Sequence, residues 1–268
     1  MKPVLLRLTL LTITFLSLWL FVAHPWWFPA GASAHAGMLD RQFKAAFLLL
    51  GFLFLAGQLV LVWVLGHNRG EGASSRYWRG NSGLEFAWTI VIVAIFFWFN
   101  VSGSHSWSEM IRPATQRDAI PIEVTGAQFQ WYFRYPGPDR KFGRLDMQKF
   151  ARPDEGNPLG LDPKDPSGKD DVVASTFMLP VGRDIELILR AQDVIHSVFI
   201  PAMRFKQDAV PGMEIRAHLQ ATQIGTYELV CSQLCGLGHY RMRAAVRVVS
   251  DEEFRRWLQA QSEKLAAQ

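Results

Sequence analysis

Cys231-Ser232-Gln233-Leu234-Cys235-Gly236-Leu237-Gly238-His239-Tyr240-Arg241-Met242 gathers two thiols, an imidazole and a thioether in one short run, and its cysteines are the only 2 in the chain. Sulfur donors beside imidazole are the set that copper favours, whereas a thioether adds almost nothing to a zinc site. Gly236 and Gly238 permit a backbone path tight enough for side chains at this spacing to meet. The flanking runs at 225–230 (GTYELV) and 243–249 (RAAVRVV) alternate or cluster apolar residues as strands do. The run is therefore read as a loop joining two strands of a β-domain.

A single-copper site uses one Cys, two His and a weak axial Met, so the second cysteine needs a role. Two thiolates can bridge two ions, and a second imidazole from elsewhere would complete the pair. His196, in Asp193-Val194-Ile195-His196-Ser197 and following the alternating run 184–190 (DIELILR), is the best candidate. Taken alone, Cys231 and Cys235 also read as a disulfide or as inert thiols, and His196 as a satisfied histidine at a strand end. His239 and Met242 at fixed offsets weigh against the first of these.

The pattern Cys-x-x-x-Cys-Gly-x-x-His-x-x-Met, with Asp-Val-Ile-His-Ser at 193–197 and Lys-Gln-Asp-Ala-Val-Pro-Gly at 206–212 before it, resembles subunit II of the haem-copper cytochrome c oxidases. That resemblance implies a dinuclear copper A centre held by His196, Cys231, Cys235, His239 and Met242, with the backbone carbonyl of Gln233 as a further ligand. The family's commonest pattern has glutamate where Gln233 stands, and its carboxylate helps to hold a magnesium ion at the subunit I interface. A neutral amide keeps the carbonyl ligand but is a poorer partner for a hard cation.

The chain has 268 residues and is 49% hydrophobic, with a formal charge of +4. Apolar residues crowd the first hundred positions, and no basic run interleaves with aromatics, so nucleic-acid binding has little support. Residues 1–36 have a basic start at Lys2 and Arg7, an apolar run and a small-x-small end at Ala34-His35-Ala36, the layout of a secretory signal. The rival is an uncleaved anchor, to which Trp26-Trp27-Phe28 would suit an interface. His24 and His35 need no functional role. Residues 37–111 read as a transmembrane hairpin with helices at about 45–65 and 84–103, each near the ~20 residues that cross a bilayer. Arg69, Arg76 and Arg79 against Glu71 place the connecting loop in the cytoplasm and both ends outside. The expected location is the bacterial inner membrane, with the copper domain periplasmic.

Glu85 opens the second helix, where a carboxylate suits the helix dipole. The Glu85-x-x-Trp88-Thr89 pattern also resembles the family motif whose glutamate lies at the mouth of a proton-uptake path into subunit I. Many members follow the threonine with a proline, where this chain has Ile90, Val91 and Ile92.

Residues 112–250 show short alternating runs broken by Pro and Gly, with candidate strands at 120–124, 129–135, 175–179, 184–190, 215–220, 225–230 and 243–249. Their number and spacing fit a cupredoxin-like Greek-key β-barrel. The fold class is thus an α+β membrane protein, a two-helix hairpin followed by that barrel. Residues 146–171 read as a surface loop with no assigned chemistry, and 251–268 as a terminal helix opened by a capping box at Ser250-Asp251-Glu252-Glu253. Aromatics in the strand at 129–135 usually pack. The segment also resembles the family's Gln-Trp-Tyr-Trp, in which Trp131 matches the entry point for electrons and Phe133 replaces the second tryptophan.

The resemblance implies a copper A subunit of a respiratory oxidase, active only within its complex. Reduced cytochrome c would donate the electrons, and haem and further copper in subunit I would reduce dioxygen to water with proton pumping; subunit III is a further expected partner. An electron-input subunit of a nitric oxide reductase is the alternative. A Sco-type membrane-anchored copper chaperone is the reading from another class, against which Gly236, His239 and the all-strand pattern speak. No Cys-x-x-Cys-His run occurs, so the donor haem is on another protein.

Overall fold

The computed structural model describes residues 3–23, 29–67, 80–111, 119–137, 139–150, 156–162 and 164–266. These divide into two compact units, Met1–Pro29 with Met38–Ser106, and Ala30–Gly37 with Trp107–Gln268.

The first unit is helical. Helix α1 spans Pro3–Ala23, α2 spans Ala36–His67 and α3 spans Ser82–Ile111. Proline opens α1 at a position whose N–H has no partner in any helix. Asn81 caps α3, its Oδ1 accepting the N–H of Gly83 at 3.0 Å and of Leu84 at 3.2 Å. All three helices are long and apolar enough to cross a membrane. Helices α2 and α3, at 32 and 30 residues, outrun the apolar stretches expected at 45–65 and 84–103. Backbone bonding continues through polar residues such as Asp40, Arg41 and Lys44, whereas the apolar stretch marks only the part suited to hydrocarbon. Arg69, Glu71, Arg76 and Arg79 lie outside the described residues, as do His24 and Trp26-Trp27-Phe28.

The second unit is a two-layer β-sandwich closed by one helix. Its strands are β1 Ile120–Ala127, β2 Gln130–Tyr135, β3 Val172–Ala174, β4 Phe177–Pro180, β5 Asp184–Ala191, β6 His196–Ile200, β7 Phe205–Ala209, β8 Ile215–Gln220, β9 Gly225–Cys231 and β10 Arg243–Val249. One sheet has the order β3-β2-β1-β5-β8 and the other β4-β10-β9-β6-β7. The pairs β1/β5 and β4/β10 are parallel and the rest antiparallel. The cupredoxin-like architecture expected from strand spacing is present, with its strands shared between two facing sheets. Alternation explains the layers: Ile122 and Val124 of β1, Leu187 and Leu189 of β5, and Val246 and Val248 of β10 all point into one core. Phe133 and Phe177 stack across the layers at 4.7 Å with planes 5° apart.

Arg134 is an exception to the apolar interior. It is buried in β2 between Asp171, which accepts from its Nε at 3.0 Å, and Glu123 at 3.5 Å. Removing Arg134 would leave buried Asp171 without its charge partner in a dry environment.

Ser250 caps α4 (Asp251–Ala266), accepting the N–H of Glu253 at 3.2 Å. Buried Phe254 then packs its ring 6.0 Å from Tyr135, and Trp257 lies edge-on to the same tyrosine at 4.9 Å. Burying a side chain of this size contributes about 2 kcal/mol.

A strap from the N-terminal side completes the sandwich. Ala32 is fully buried; its N–H donates to Ala202 O at 2.7 Å and its carbonyl accepts from Thr222 N at 2.9 Å. Ser33 bridges to Ala221, its Oγ donates to Met203 O at 2.6 Å, and Ala34 N donates to Gln220 O at 3.0 Å. Residues that read as the end of a secretory signal are thus part of the β-unit.

Candidate metal centre

One end of the sandwich carries the donors. β6 pairs antiparallel with β9 so that Val198 faces Cys231, which sets His196 at the start of β6 beside the end of β9. The loop after Cys231 is pinned at both ends, Cys231 N donating to Met242 O at 3.0 Å and Ser232 N to Ser197 O at 3.1 Å. A single 3-10 turn over His239–Arg241 reverses the chain, with His239 N donating to Gly236 O at 3.1 Å and Met242 N to His239 O at 3.1 Å. Gly236 has φ near +129°, a conformation open to glycine, and the turn it permits returns Met242 to the thiols.

The side chains of these residues converge. Cys231 Sγ lies 3.9 Å from Cys235 Sγ, 3.9 Å from His196 Nδ1 and 3.2 Å from the carbonyl oxygen of Gln233. Cys235 Sγ lies 3.6 Å from His239 Nδ1 and 3.7 Å from Met242 Sδ. Both cysteines are free, and a disulfide needs its sulfurs about 2.05 Å apart. Donors held at the usual 2.0–2.3 Å from a tetrahedral first-row ion stand about 3.3–3.8 Å from one another. The observed spacings run from 3.2 to 3.9 Å, within or just beyond the edges of that range, so the donors present would suit a metal held between them. His196, Cys231, Cys235 and Met242 are buried, as a site that excludes water requires. Burial, and then the neighbouring Cys231, push the Cys235 thiol up to about 11. Metal uptake must therefore displace its proton.

Trp131 is only 1% exposed and lies edge-on to His196, ring centroids 5.8 Å apart. It follows Gln130 on β2 and pairs with Gly126 of β1, where an added Cβ would stand 2.8 Å from the His196 ring. Glu85 is exposed in the first turn of α3, within the helical unit. Sequence reasoning gave no role to Gly126, Gln128 or Asp193. Asp193 Oδ1 lies 2.8 Å from His196 Nε2, and its Oδ2 accepts the N–H of Gln128 at 2.7 Å. Burial acts to raise the Asp193 carboxyl, but hydrogen bonds from Gln128, His196 and Val194 hold it below the ordinary carboxylate value. The only available signal was Asp193's place three residues before His196.

A cupredoxin-like sandwich with two thiols, two imidazoles and a thioether at one end, on a chain with helices long and apolar enough to cross a membrane, defines a protein with a candidate metal centre. Residues 120–249 match the family model for the periplasmic domain of cytochrome c oxidase subunit II. The alternative cytochrome c oxidase subunit 2 of Bradyrhizobium diazoefficiens is 32% identical over 266 residues, covering 95% of this chain and 91% of the relative. Cytochrome c oxidase subunit 2 of Cereibacter sphaeroides is 30% identical, covering 75% of this chain and 67% of the relative. Among solved structures, the periplasmic domain of subunit II of cytochrome oxidase from Bradyrhizobium japonicum matches at 30% identity and a TM-score of 0.41, over 56% of this chain and 98% of that one. The chain belongs to the cytochrome c oxidase subunit II family.

Proposed function

We propose that this chain is the electron-input subunit of a respiratory cytochrome c oxidase, taking electrons from reduced cytochrome c and passing them to haem in subunit I. The convergence of His196, Cys231, Gln233 O, Cys235, His239 and Met242 carries this reading, because that donor set suits a dinuclear copper A centre. Bound copper would supply a one-electron carrier whose charge the two thiolates share. The chain's own residues hold the donors at fixed spacing, exclude water and keep rearrangement on electron transfer small. Trp131 is the entry residue, acting as a relay beneath the surface and against His196. Exposed Leu234, Leu237 and Tyr240 rim the site and give partner proteins a dry contact. Glu85 is the mouth of a proton-uptake path, in keeping with its exposure at the start of α3. Helices α2 and α3 form the inner-membrane hairpin, and the β-unit lies in the periplasm.

Copper analysis and electron paramagnetic resonance on the purified full chain test the reading. Two coppers per chain with a mixed-valence signal are expected, and Cys231→Ser or Cys235→Ser should abolish that signal. One zinc bound as readily as copper, or a Cys231–Cys235 disulfide that copper cannot displace, would overturn it.

A further inference from the structure

Three loops meet at the metal centre, and two side chains that are not ligands tie them together. Asp193 lies between β5 and β6 and takes His196 Nε2 on one oxygen at 2.8 Å and Gln128 N–H on the other at 2.7 Å. Gln128 lies in the turn between β1 and β2, and its Nε2 donates across to the carbonyl of Cys235 at 2.5 Å. Phe129, the next residue, lies close against the Cys231–Met242 loop. A Cβ on Gly238 would come within 2.4 Å of its ring, and one on Gly236 within 2.9 Å of Gln128 Nε2 and 3.2 Å of the ring. The two loop glycines thus serve a second purpose, leaving the space that this turn occupies.

A carboxylate acceptor on one nitrogen of a ligating imidazole fixes its tautomer and orientation. With Asp193 accepting from Nε2, the proton stays on Nε2 and the Nδ1 lone pair faces the thiols. We infer that Asp193 and Gln128 form a positioning clasp: Asp193 locks His196 in the Nε2–H tautomer, and Gln128 anchors the Cys235 peptide, so that the donor set is assembled before metal arrives. Its consequence for copper rests on the copper reading above, whereas the tautomer does not.

Two measurements on the full chain in detergent separate these points. In the metal-free protein labelled with 15N-histidine, His196 should show the Nε2–H tautomer alone, and Asp193→Ala should let both tautomers exchange. With copper loaded, Asp193→Ala should weaken retention against a chelator by about 10–100-fold, the range seen when outer partners of a ligand are removed. Gln128→Ala should speed copper loss while leaving the tautomer unchanged, since the backbone N–H that Asp193 accepts remains. Asp193→Asn covers the case in which the alanine variant does not fold: its amide oxygen can accept from His196 or from Gln128 N–H but not from both. It should give spectra between wild type and Asp193→Ala at equal copper content. A mixture of His196 tautomers in the wild-type chain overturns the clasp. So do wild-type spectra and copper retention in folded Gln128→Ala and Asp193→Asn. A wild-type chain that takes up no copper yet holds His196 as a single Nε2–H tautomer sinks the copper reading and leaves the clasp supported.

Discussion

Phe96 and Phe133 are the same side chain in opposite situations. Phe96, in α3, exposes 70% of its surface, while Phe133, in β2, exposes none. The helices carry apolar residues outward, as Phe52, Trp63, Phe86 and Phe97 do, whereas the β-unit turns most of them inward, Leu234 and Leu237 of the Cys231–Met242 loop aside, and pairs buried charges such as Arg134 and Asp171. An apolar surface turned outward is stable only against an apolar surrounding. Residue type alone is therefore enough to read the helical part. In the β-unit, meaning comes from which residues alternate and which strands pair.

The largest effect that sharpens this contrast is expected at Phe133. Phe133→Ala removes the ring stacked on Phe177 and should cost the β-unit about 3–5 kcal/mol, read as a lower denaturant midpoint for its protease resistance. Membrane extraction of the chain should not change. Phe96→Asp is the converse, costing about 2.5–3.5 kcal/mol of insertion at the middle of a span. The fraction of chains with α3 inserted, read by protease protection of the β-unit in sealed vesicles, should then fall while the copper signal of the inserted fraction stays intact; an unchanged fraction would mean that Phe96 does not sit in hydrocarbon. Ser250→Ala should follow, lowering β-unit stability by about 1 kcal/mol through loss of the α4 cap. Glu85→Gln should have the smallest effect on stability, about 0.3–1 kcal/mol from the α3 dipole. Oxygen consumption by the assembled, copper-loaded complex should nonetheless slow. An unchanged rate would reduce Glu85 to a partner of the helix dipole.

The Cys231–Met242 loop was legible because its chemistry is local: four donors within twelve residues, between two strands with clear alternation. Seven of the strands appear in the sequence pattern for the same reason. β6 and β7 do not, since HSVFI is buried on both faces and FKQDA is mostly polar, and β3 has only 3 residues. Each of these is specified by its neighbours in the sheet rather than by its own period. The Asp193–Gln128 bond links residues 65 apart, beyond the reach of any local spacing. Ala30–Gly37 is open to two readings for a different reason. Small residues suit a peptidase cleavage site, and they equally suit a strap lying close against another backbone.

That strap also constrains how the chain is threaded. Ala30–Gly37 belongs to the same body as the ten strands, and α2 and α3 lie between that segment and β1. The chain therefore leaves one body and returns to it. A path that begins and ends on one side of a barrier crosses it an even number of times, whatever the loop at the far end is like. α2 and α3 must count together, both crossing or neither. α1 precedes the strap and stands outside this parity, deciding only on which side the residues before it come to rest.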